Sequence, residues 1–185
     1  MSSARPEGGP RQRLFFALWP EAAVRTRLDQ AGAALLGKRV KRVPAENLHL
    51  TLAFAGAVTA TVRQCLQAAA ADIHCPAFEL SIGHIGHWSR PRIYWAGPVH
   101  TPPPLWSLAG MLQTALGDCG LQTETRPYQP HITLARKFGK ANHIQQGATQ
   151  IDTVHWSVRR FCLVESVTGS HIASYRVLTS WMLDQ

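Results

Sequence analysis

His49-Leu50-Thr51-Leu52 is the stretch that decides the fold, because its pattern returns 82 positions later (131 minus 49) as His131-Ile132-Thr133-Leu134. In each copy a polar residue alternates with an apolar one. Residues i and i+2 of a strand share a face, so each copy is predicted to be a half-buried strand with its histidine and threonine on one face. Chance would supply about 0.1 such motifs in a chain of this composition, so the pair indicates a function.

Two histidines on strands can form an acid–base site, because a neutral imidazole accepts a proton and an imidazolium donates one near neutral pH. Arg136 follows His131 by five residues and is a candidate cation for the same site, or else a surface cation at the end of a strand. The two motifs are chemically equivalent, so the sequence does not tell which histidine is the acid.

The two motifs resemble those of the two-histidine (2H) phosphoesterases, and most closely the RNA 2′,3′-cyclic phosphodiesterase branch, also called the 2′-5′ RNA ligases. The resemblance covers roughly residues 13 to 180 and includes strands as well as motifs. The matching segments are Arg13–Leu18, Pro44–Leu52, Arg90–Trp95, Arg126–Arg136, Phe161–Ser166 and Tyr175–Leu178. Ala55 departs from the family pattern, which tends to have a larger apolar residue there.

The resemblance implies an α+β fold with two pseudo-symmetric lobes of antiparallel-rich sheet, helices on the outside and a central cleft. Each lobe would supply one motif strand. We expect residues 13–185 to form this single bilobal domain, preceded by a disordered tail at 1–12 that is rich in Ser, Gly, Pro and Arg.

The resemblance also implies hydrolysis of an RNA or nucleoside 2′,3′-cyclic phosphate to a 2′-phosphate without metal. His49 would be the proton donor to the leaving oxygen, and His131 would be the proton acceptor. Thr51 and Thr133 share faces with these histidines, so their hydroxyls can donate hydrogen bonds to phosphate oxygens, with Arg136 as a further phosphate ligand.

Two other functions stay open at this point. The same site run in reverse, with acid and base exchanged, would be a 2′-5′ RNA ligase or a 2′-5′ phosphodiesterase. Water at about 55 M favours hydrolysis unless an RNA 5′-hydroxyl is held in place. A non-catalytic RNA-binding protein is the other alternative, and the intact His49 and His131 argue against it.

Composition agrees with a nucleic-acid substrate but does not establish one. The 185 residues include 19 Lys and Arg against 11 Asp and Glu, a formal charge of +8 that suits a polyanionic partner. No spacing of His, Cys, Asp and Glu suggests a metal site, and we expect no metal and no cofactor. No apolar run approaches the roughly 18 residues of a membrane span. We expect a cytoplasmic monomer.

The four cysteines, at positions 65, 75, 119 and 162, are widely spaced and form no C-x-x-C pair. Because no secretory signal precedes them, reduced thiols are expected rather than a disulfide framework.

Apolar periodicity predicts the remaining elements. Helices are expected after Pro20 up to Gly37, over Thr59–Ala71, and from the prolines at 102–104 to Gly117 or Gly120. Further strands are expected around Phe78–Ile82, Ile93–Ala96, Val154–Val164 and Ser174–Trp181, with a loop through Gly147.

Residues His84-Ile85-Gly86-His87 spell the HIGH signature of class I aminoacyl-tRNA synthetases, which stands at the start of a helix. Here the residues that follow read as a loop, and no glycine-rich phosphate loop accompanies them. The end of a strand with two partly exposed histidines is the preferred interpretation.

Overall fold

The computed structural model describes residues 10–36, 40–136, 150–168 and 173–185. Within these ranges the chain forms eight strands, three α-helices and one 3₁₀ turn at Ala45–Asn47. The strands are β1 (Gln12–Leu18), β2 (Leu50–Val58), β3 (Phe78–Trp88), β4 (Ile93–Pro98), β5 (Ile132–Arg136), β6 (Gln150–Val158), β7 (Arg160–Thr168) and β8 (Ala173–Met182). The helices are α1 (Ala22–Leu36), α2 (Ala60–Ala71) and α3 (Pro103–Asp118).

The strands form one antiparallel sheet in the order β6-β3-β4-β5-β2-β1-β7-β8. It consists of a first half (β8, β7, β1 and β2) and a second half (β5, β4, β3 and β6), joined where Leu50 of β2 pairs with Ile132 of β5. Each half contains a strand–helix–strand unit, β1-α1-β2 in the first half and β4-α3-β5 in the second. The two halves are therefore related by a pseudo-twofold axis between β2 and β5. The predicted α+β bilobal architecture is confirmed, and both lobes belong to one continuous sheet.

The apolar residues of both motifs lie in the core, as predicted. Leu50 and Ile132 are 0% exposed, Leu52 is 1% exposed and Leu134 is 2% exposed. They join one cluster with the buried leucines of all three helices, so the helices cover this face of the sheet. Alternation then places the histidines and threonines of the motifs on the other face.

Each half is covered by a helix that the other half supplies. Helix α1 follows β1 but packs on the second half, where Arg27 donates to the Thr153 carbonyl of β6 at 3.3 Å. A Cβ at Gly32 of α1 would lie 3.8 Å from the Leu134 methyl groups of β5. Helix α3 follows β4 but packs against β2 of the first half.

Helix boundaries follow the local signals. The Thr59 side chain accepts the Val62 N–H at 3.4 Å and so caps α2. Helix α3 begins at Pro103, where a missing N–H costs no hydrogen bond. It ends at Asp118, and Gly120 follows in the left-handed region at φ 78°. The predicted stop of α1 at Gly37 lies outside the described residues.

The prediction of one strand over Val154–Val164 is wrong. Strand β6 pairs with β3 in the second half, whereas β7 pairs with β1 in the first, so the chain changes halves at Arg159. The Arg159 carbonyl accepts the Leu183 N–H at 2.8 Å. Apolar residues continue on both sides of this position without an intervening Gly or Pro, and for that reason the pattern does not mark the break.

The expectation of reduced thiols is wrong for two of the cysteines. Cys65 and Cys119 form a disulfide that joins α2 to the residue after α3, with a Cα–Cα distance of 5.9 Å. Their separation of 54 positions carries no local signal, since the contact depends on how the two helices pack. Cys75 and Cys162 are free and buried, and burial raises the pKa of each thiol.

Two predicted irregular segments fall largely beyond the described ranges. Residues 1–9 of the expected tail and the loop through Gly147 lie outside them. Gln12, the last residue of the expected tail, is the first residue of β1, and its amide donates to Glu165 at 2.9 Å. No helix among the described residues is long and apolar enough to cross a membrane.

The HIGH tetrapeptide lies inside β3, which continues to Trp88, and a turn at 89–92 follows in place of a helix. His84 and His87 are exposed, in agreement with the preferred interpretation. Gly86 lies directly beneath the indole of Trp95, where a Cβ would overlap the ring carbons. The glycine is therefore explained by the close approach of an aromatic ring.

Candidate active site

The two motifs meet because their strands are neighbours at the centre of the sheet. Leu50 pairs with Ile132 in antiparallel register, so His49 stands across from Thr133 and Thr51 across from His131. Residues opposite each other on one face of such a pair have Cβ atoms about 5 Å apart. Each histidine thus has the threonine of the other motif as its neighbour on the open face.

Both histidines are held by the same backbone hydrogen bond. Nδ1 of His49 lies 2.7 Å from the Asn47 carbonyl oxygen, and Nδ1 of His131 lies 2.8 Å from that of Gln129. A carbonyl oxygen only accepts, so Nδ1 carries the proton in each ring. In the neutral imidazole Nε2 is then an unprotonated base, and in the imidazolium it is an acid.

His49 is enclosed by aromatic rings. Trp19 stacks on it with ring centroids 5.2 Å apart and an interplanar angle of 2°, and Phe15 and Tyr175 each lie 5.0 Å away. Burial among these rings disfavours the imidazolium and lowers the pKa of His49 to about 4, with smaller contributions from the charges of Arg136 and His131. In the free protein His49 is therefore neutral at pH 7.

His131 has a more open setting. The edge of Trp88 contacts it, with ring centroids 4.6 Å apart and an interplanar angle of 80°. Burial and then the charge of Arg136 lower its pKa from the ordinary value. The two histidines are thus unequal in surroundings although their motifs are equivalent in sequence.

Arg136 is close enough to both histidines to depress both pKa values by its charge. Its Nη2 donates to the Thr133 hydroxyl at 3.4 Å. The structure thus brings together all five residues that the sequence singled out, at positions 49, 51, 131, 133 and 136.

A cavity of about 760 Å³ opens from Thr51 and His131. Its lining includes β2 from Thr51 to Phe54 and four residues around the connection from β3 to β4, Trp88, Arg90, Pro91 and Ile93. The lining also includes α3 from Trp106 to Gln113 and the segment Glu124–Gln129. We call this space the His131 cavity. The hydroxyl of Tyr128 donates to the Thr51 carbonyl at 3.0 Å and fixes this segment beside the motif.

The aromatic residues that surround the histidines were not predicted from the sequence. Trp19 could have been found, since Phe15, Ala17 and Trp19 alternate along β1 and the residue that follows it, and alternate residues of a strand share a face. Tyr175 and Trp88 carried no comparable signal, because their contacts depend on how β8 and β3 are placed in the sheet. Among the described residues, no group of three or more His, Cys, Asp and Glu could hold a metal ion.

A sheet of two related halves, with one His-x-Thr motif on each central strand and both histidines on one face, defines a two-histidine phosphoesterase. Residues 18–170 match the family model described as the 2′-5′ RNA ligase superfamily. The chain therefore belongs to the 2′-5′ RNA ligase superfamily.

Individual relatives agree with this assignment. The RNA 2′,3′-cyclic phosphodiesterase of Escherichia coli (strain K12) is 36% identical over 177 residues, which are 94% of this chain and 98% of that protein. The crystal structure of E. coli LigT complexed with 3′-AMP has a TM-score of 0.86 at 34% identity and covers 95% of this chain and 99% of that one. The crystal structure of TT0787 of Thermus thermophilus has a TM-score of 0.80 at 25% identity, over 92% and 97% of the respective chains.

Proposed function

We propose that this chain hydrolyses the 2′,3′-cyclic phosphate of RNA or of a nucleoside to a 2′-phosphate. The observation that carries the proposal is the matched pair of imidazoles, each with Nδ1 fixed by a carbonyl and Nε2 left for proton transfer. The relatives named RNA 2′,3′-cyclic phosphodiesterase support the substrate class.

The reaction needs one proton acceptor and one proton donor on opposite sides of phosphorus, because the attacking and leaving oxygens must be in line. His131 takes a proton from the attacking water through Nε2. His49 gives a proton from Nε2 to the 3′ oxygen as the bond between phosphorus and that oxygen breaks. The 2′-phosphate is left, and each histidine ends in the protonation state from which the other began.

The charge that develops on the non-bridging oxygens is stabilised by Thr51, Thr133 and Arg136. A hydrogen bond to a charged group is worth about 1.5–3 kcal/mol. The bond between Arg136 and Thr133 orients the hydroxyl before substrate arrives. Two histidines and these donors supply proton transfer and charge stabilisation, so the proposal includes independence from metal.

His49 must be protonated to act as the acid, and its low pKa in the free protein opposes this. At a pKa of about 4 its imidazolium is rare in the free protein at pH 7. A bound phosphate is anionic and favours the imidazolium, so it raises the pKa of His49. The acid form of His49 is therefore created by substrate binding.

The test is turnover of adenosine 2′,3′-cyclic phosphate by the purified protein, with 2′-AMP and 3′-AMP resolved by chromatography. The expected result is 2′-AMP as product, with the same rate in the presence of EDTA. Formation of 3′-AMP would overturn the assignment of His49 to the 3′ oxygen. A rate lost in chelator and restored by a divalent metal would overturn the metal-free mechanism.

All five residues in the proposed mechanism come from one chain, which supports the expectation that a monomer suffices. The cytoplasm, where an RNA substrate would be met, is the proposed location. The Cys65–Cys119 disulfide would then have to form in a reducing compartment. Thiol titration of protein alkylated during lysis measures whether it does.

A further inference from the structure

The two halves of the sheet are joined near the site by few backbone contacts. Among the described residues, β2 and β5 are in register at one pair only, Leu50 with Ile132. Pro130 lies two positions before Ile132 and has no N–H, so the chain before β5 cannot continue this ladder alongside β2. The distance between the two motifs must therefore be fixed by other contacts as well.

Each motif strand receives a hydrogen bond from the segment that precedes the other motif. The Val43 N–H, in the approach to the first motif, donates to the Leu134 carbonyl of β5 at 2.7 Å. The Tyr128 hydroxyl, in the approach to the second motif, donates to the Thr51 carbonyl of β2 at 3.0 Å. The first bond belongs to the backbone and can be made by every residue except proline, whereas the second depends on one side chain.

Tyr128 anchors the segment that leads to His131. Residues 122–127 and 129 are exposed, whereas Tyr128 is half-buried and packs against the core. Its ring and that of Trp106 meet edge to face, with centroids 5.7 Å apart. Burial raises the pKa of the Tyr128 phenol, so the hydroxyl keeps the proton that it donates.

Both ends of the Tyr128 hydrogen bond lie beside groups of the proposed mechanism. Thr51, whose carbonyl accepts the bond, stands across from His131 and is proposed to donate to a phosphate oxygen. Tyr128 lies three positions before His131, and the next residue, Gln129, supplies the carbonyl that holds Nδ1 of His131. A shift between these two ends would move Nε2 of His131 relative to the phosphate, and proton transfer is sensitive to such displacements.

We propose that Tyr128 is a positioning residue, whose hydroxyl sets the distance between the strand of Thr51 and the imidazole of His131. This inference deepens the proposed function and rests on it, because its consequence is a faster transfer of the proton from the attacking water. The phenol takes no part in the chemistry. It acts through the Thr51 backbone and through the segment that presents His131.

The first experiment removes the hydroxyl alone. Tyr128→Phe keeps the ring that packs against Trp106, and every group proposed to bind the phosphate remains. We expect kcat for adenosine 2′,3′-cyclic phosphate to fall about 2- to 12-fold, the usual contribution of one hydrogen bond. KM should stay within about twofold, because the groups that bind the substrate are unchanged.

Thr179→Val is the matched control, because it also removes one hydroxyl that joins two elements. The Thr179 hydroxyl accepts a hydrogen bond from Nε2 of Gln67 at 2.6 Å and links β8 to α2, away from both motifs. Tyr128→Phe and Thr179→Val should lower the urea denaturation midpoint by similar small amounts. The control should keep the kcat of wild type, which separates positioning from a general loss of stability.

The second experiment observes the imidazoles in the free protein, by NMR of their ring nitrogens at pH 8. The nitrogen chemical shifts tell which ring nitrogen carries the proton, and both histidines of wild type should carry it on Nδ1. In Tyr128→Phe the shifts of His131 should move toward those of a ring protonated on Nε2. The shifts of His49, which is held by Asn47, should stay as in wild type and serve as the internal control.

An unchanged kcat in Tyr128→Phe would overturn the inference, and so would a change confined to KM. An equal loss of kcat in Thr179→Val would show that stability, and not position, controls the rate. Unchanged nitrogen shifts of His131 would show that Tyr128 does not orient this ring. Absence of turnover by wild type would remove the proposed function instead, and the nitrogen shifts would still test the role of Tyr128.

Discussion

At the scale of single residues, the backbone carbonyls two positions before His49 and His131 decide which ring nitrogen is available. Each carbonyl accepts the Nδ1 proton at 2.7–2.8 Å, so proton transfer is confined to Nε2. The carbonyls belong to Asn47 and Gln129, residues that the motif itself does not specify. The hydrogen bonds are equivalent although the approaches differ, since a 3₁₀ turn at Ala45–Asn47 precedes His49 and no such turn precedes His131.

Replacing His49 or His131 by Ala should lower kcat for adenosine 2′,3′-cyclic phosphate by about 10²–10⁴-fold, because each replacement removes one general acid or base. Steady-state kinetics measure the loss, and circular dichroism checks that the variant is folded. His74→Ala, at an exposed histidine beside Asp184, is the matched control. A folded His variant that keeps more than a tenth of the rate contradicts the mechanism.

The pH dependence of kcat/KM should be bell-shaped, with its optimum between about 4 and 6.5. The two limbs belong to the coupled pair in the free protein, in which burial lowers the pKa of His49 to about 4 and that of His131 below its ordinary value of about 6.5. The profile of kcat should lie at higher pH, since the anionic substrate raises both pKa values. Initial rates from pH 3.5 to 9 test this, and an acid limb of kcat/KM above 6.5 would contradict it.

At the scale of elements, β3 and β4 support the site through a row of rings. Trp95 of β4 lies over Gly86, Trp88 lies 5.4 Å from Trp95, and His131 lies 4.6 Å from Trp88. A side chain at Gly86 would therefore disturb a contact of His131 although the residue itself is not part of the site.

Gly86→Ala should lower the free energy of unfolding by about 1–3 kcal/mol, the usual cost of overpacking, because its Cβ would overlap the indole of Trp95. Urea denaturation measures it. Gly110→Ala in α3 is the control, since a Cβ there has no neighbour within 4 Å and Ala favours the helix. Equal denaturation midpoints for the two variants would show that Trp95 moves aside at little cost.

The disulfide between α2 and the residue after α3 should contribute about 4 kcal/mol to stability, since it closes a loop of 54 positions in the unfolded chain. Adding dithiothreitol should lower the urea midpoint of the wild type accordingly. A Cys65→Ser, Cys119→Ser double variant should start from the lower midpoint and be insensitive to the reagent. No change in the wild type would mean that the bond is absent or energetically neutral.

At the scale of the whole molecule, features that depend on local sequence pattern could be predicted, whereas features that depend on long-range contacts could not. Leu50 and Ile132 alternate with the site residues, so the motif strands and the face of His49 and His131 were readable from period-2 pattern. Local pattern could not predict that the chain changes halves at Arg159 or that Cys65 pairs with Cys119. Both features depend on contacts between segments far apart in the chain. The same reason hid Tyr175, which reaches His49 from β8.

The exchange of covering helices between the two halves makes neither half self-sufficient. If the second half unfolded, α1 would lose the surface on which it packs. Helix α1 connects β1, which ends just before Trp19, to β2, which begins just after His49, so the surroundings of His49 would be lost as well. Melting is therefore expected to be cooperative, with enzymatic activity and far-ultraviolet ellipticity lost at one temperature. A truncation that keeps only β1, β2, β7 and β8 would leave a bare apolar surface where α3 belongs, and it would aggregate rather than persist as a smaller enzyme.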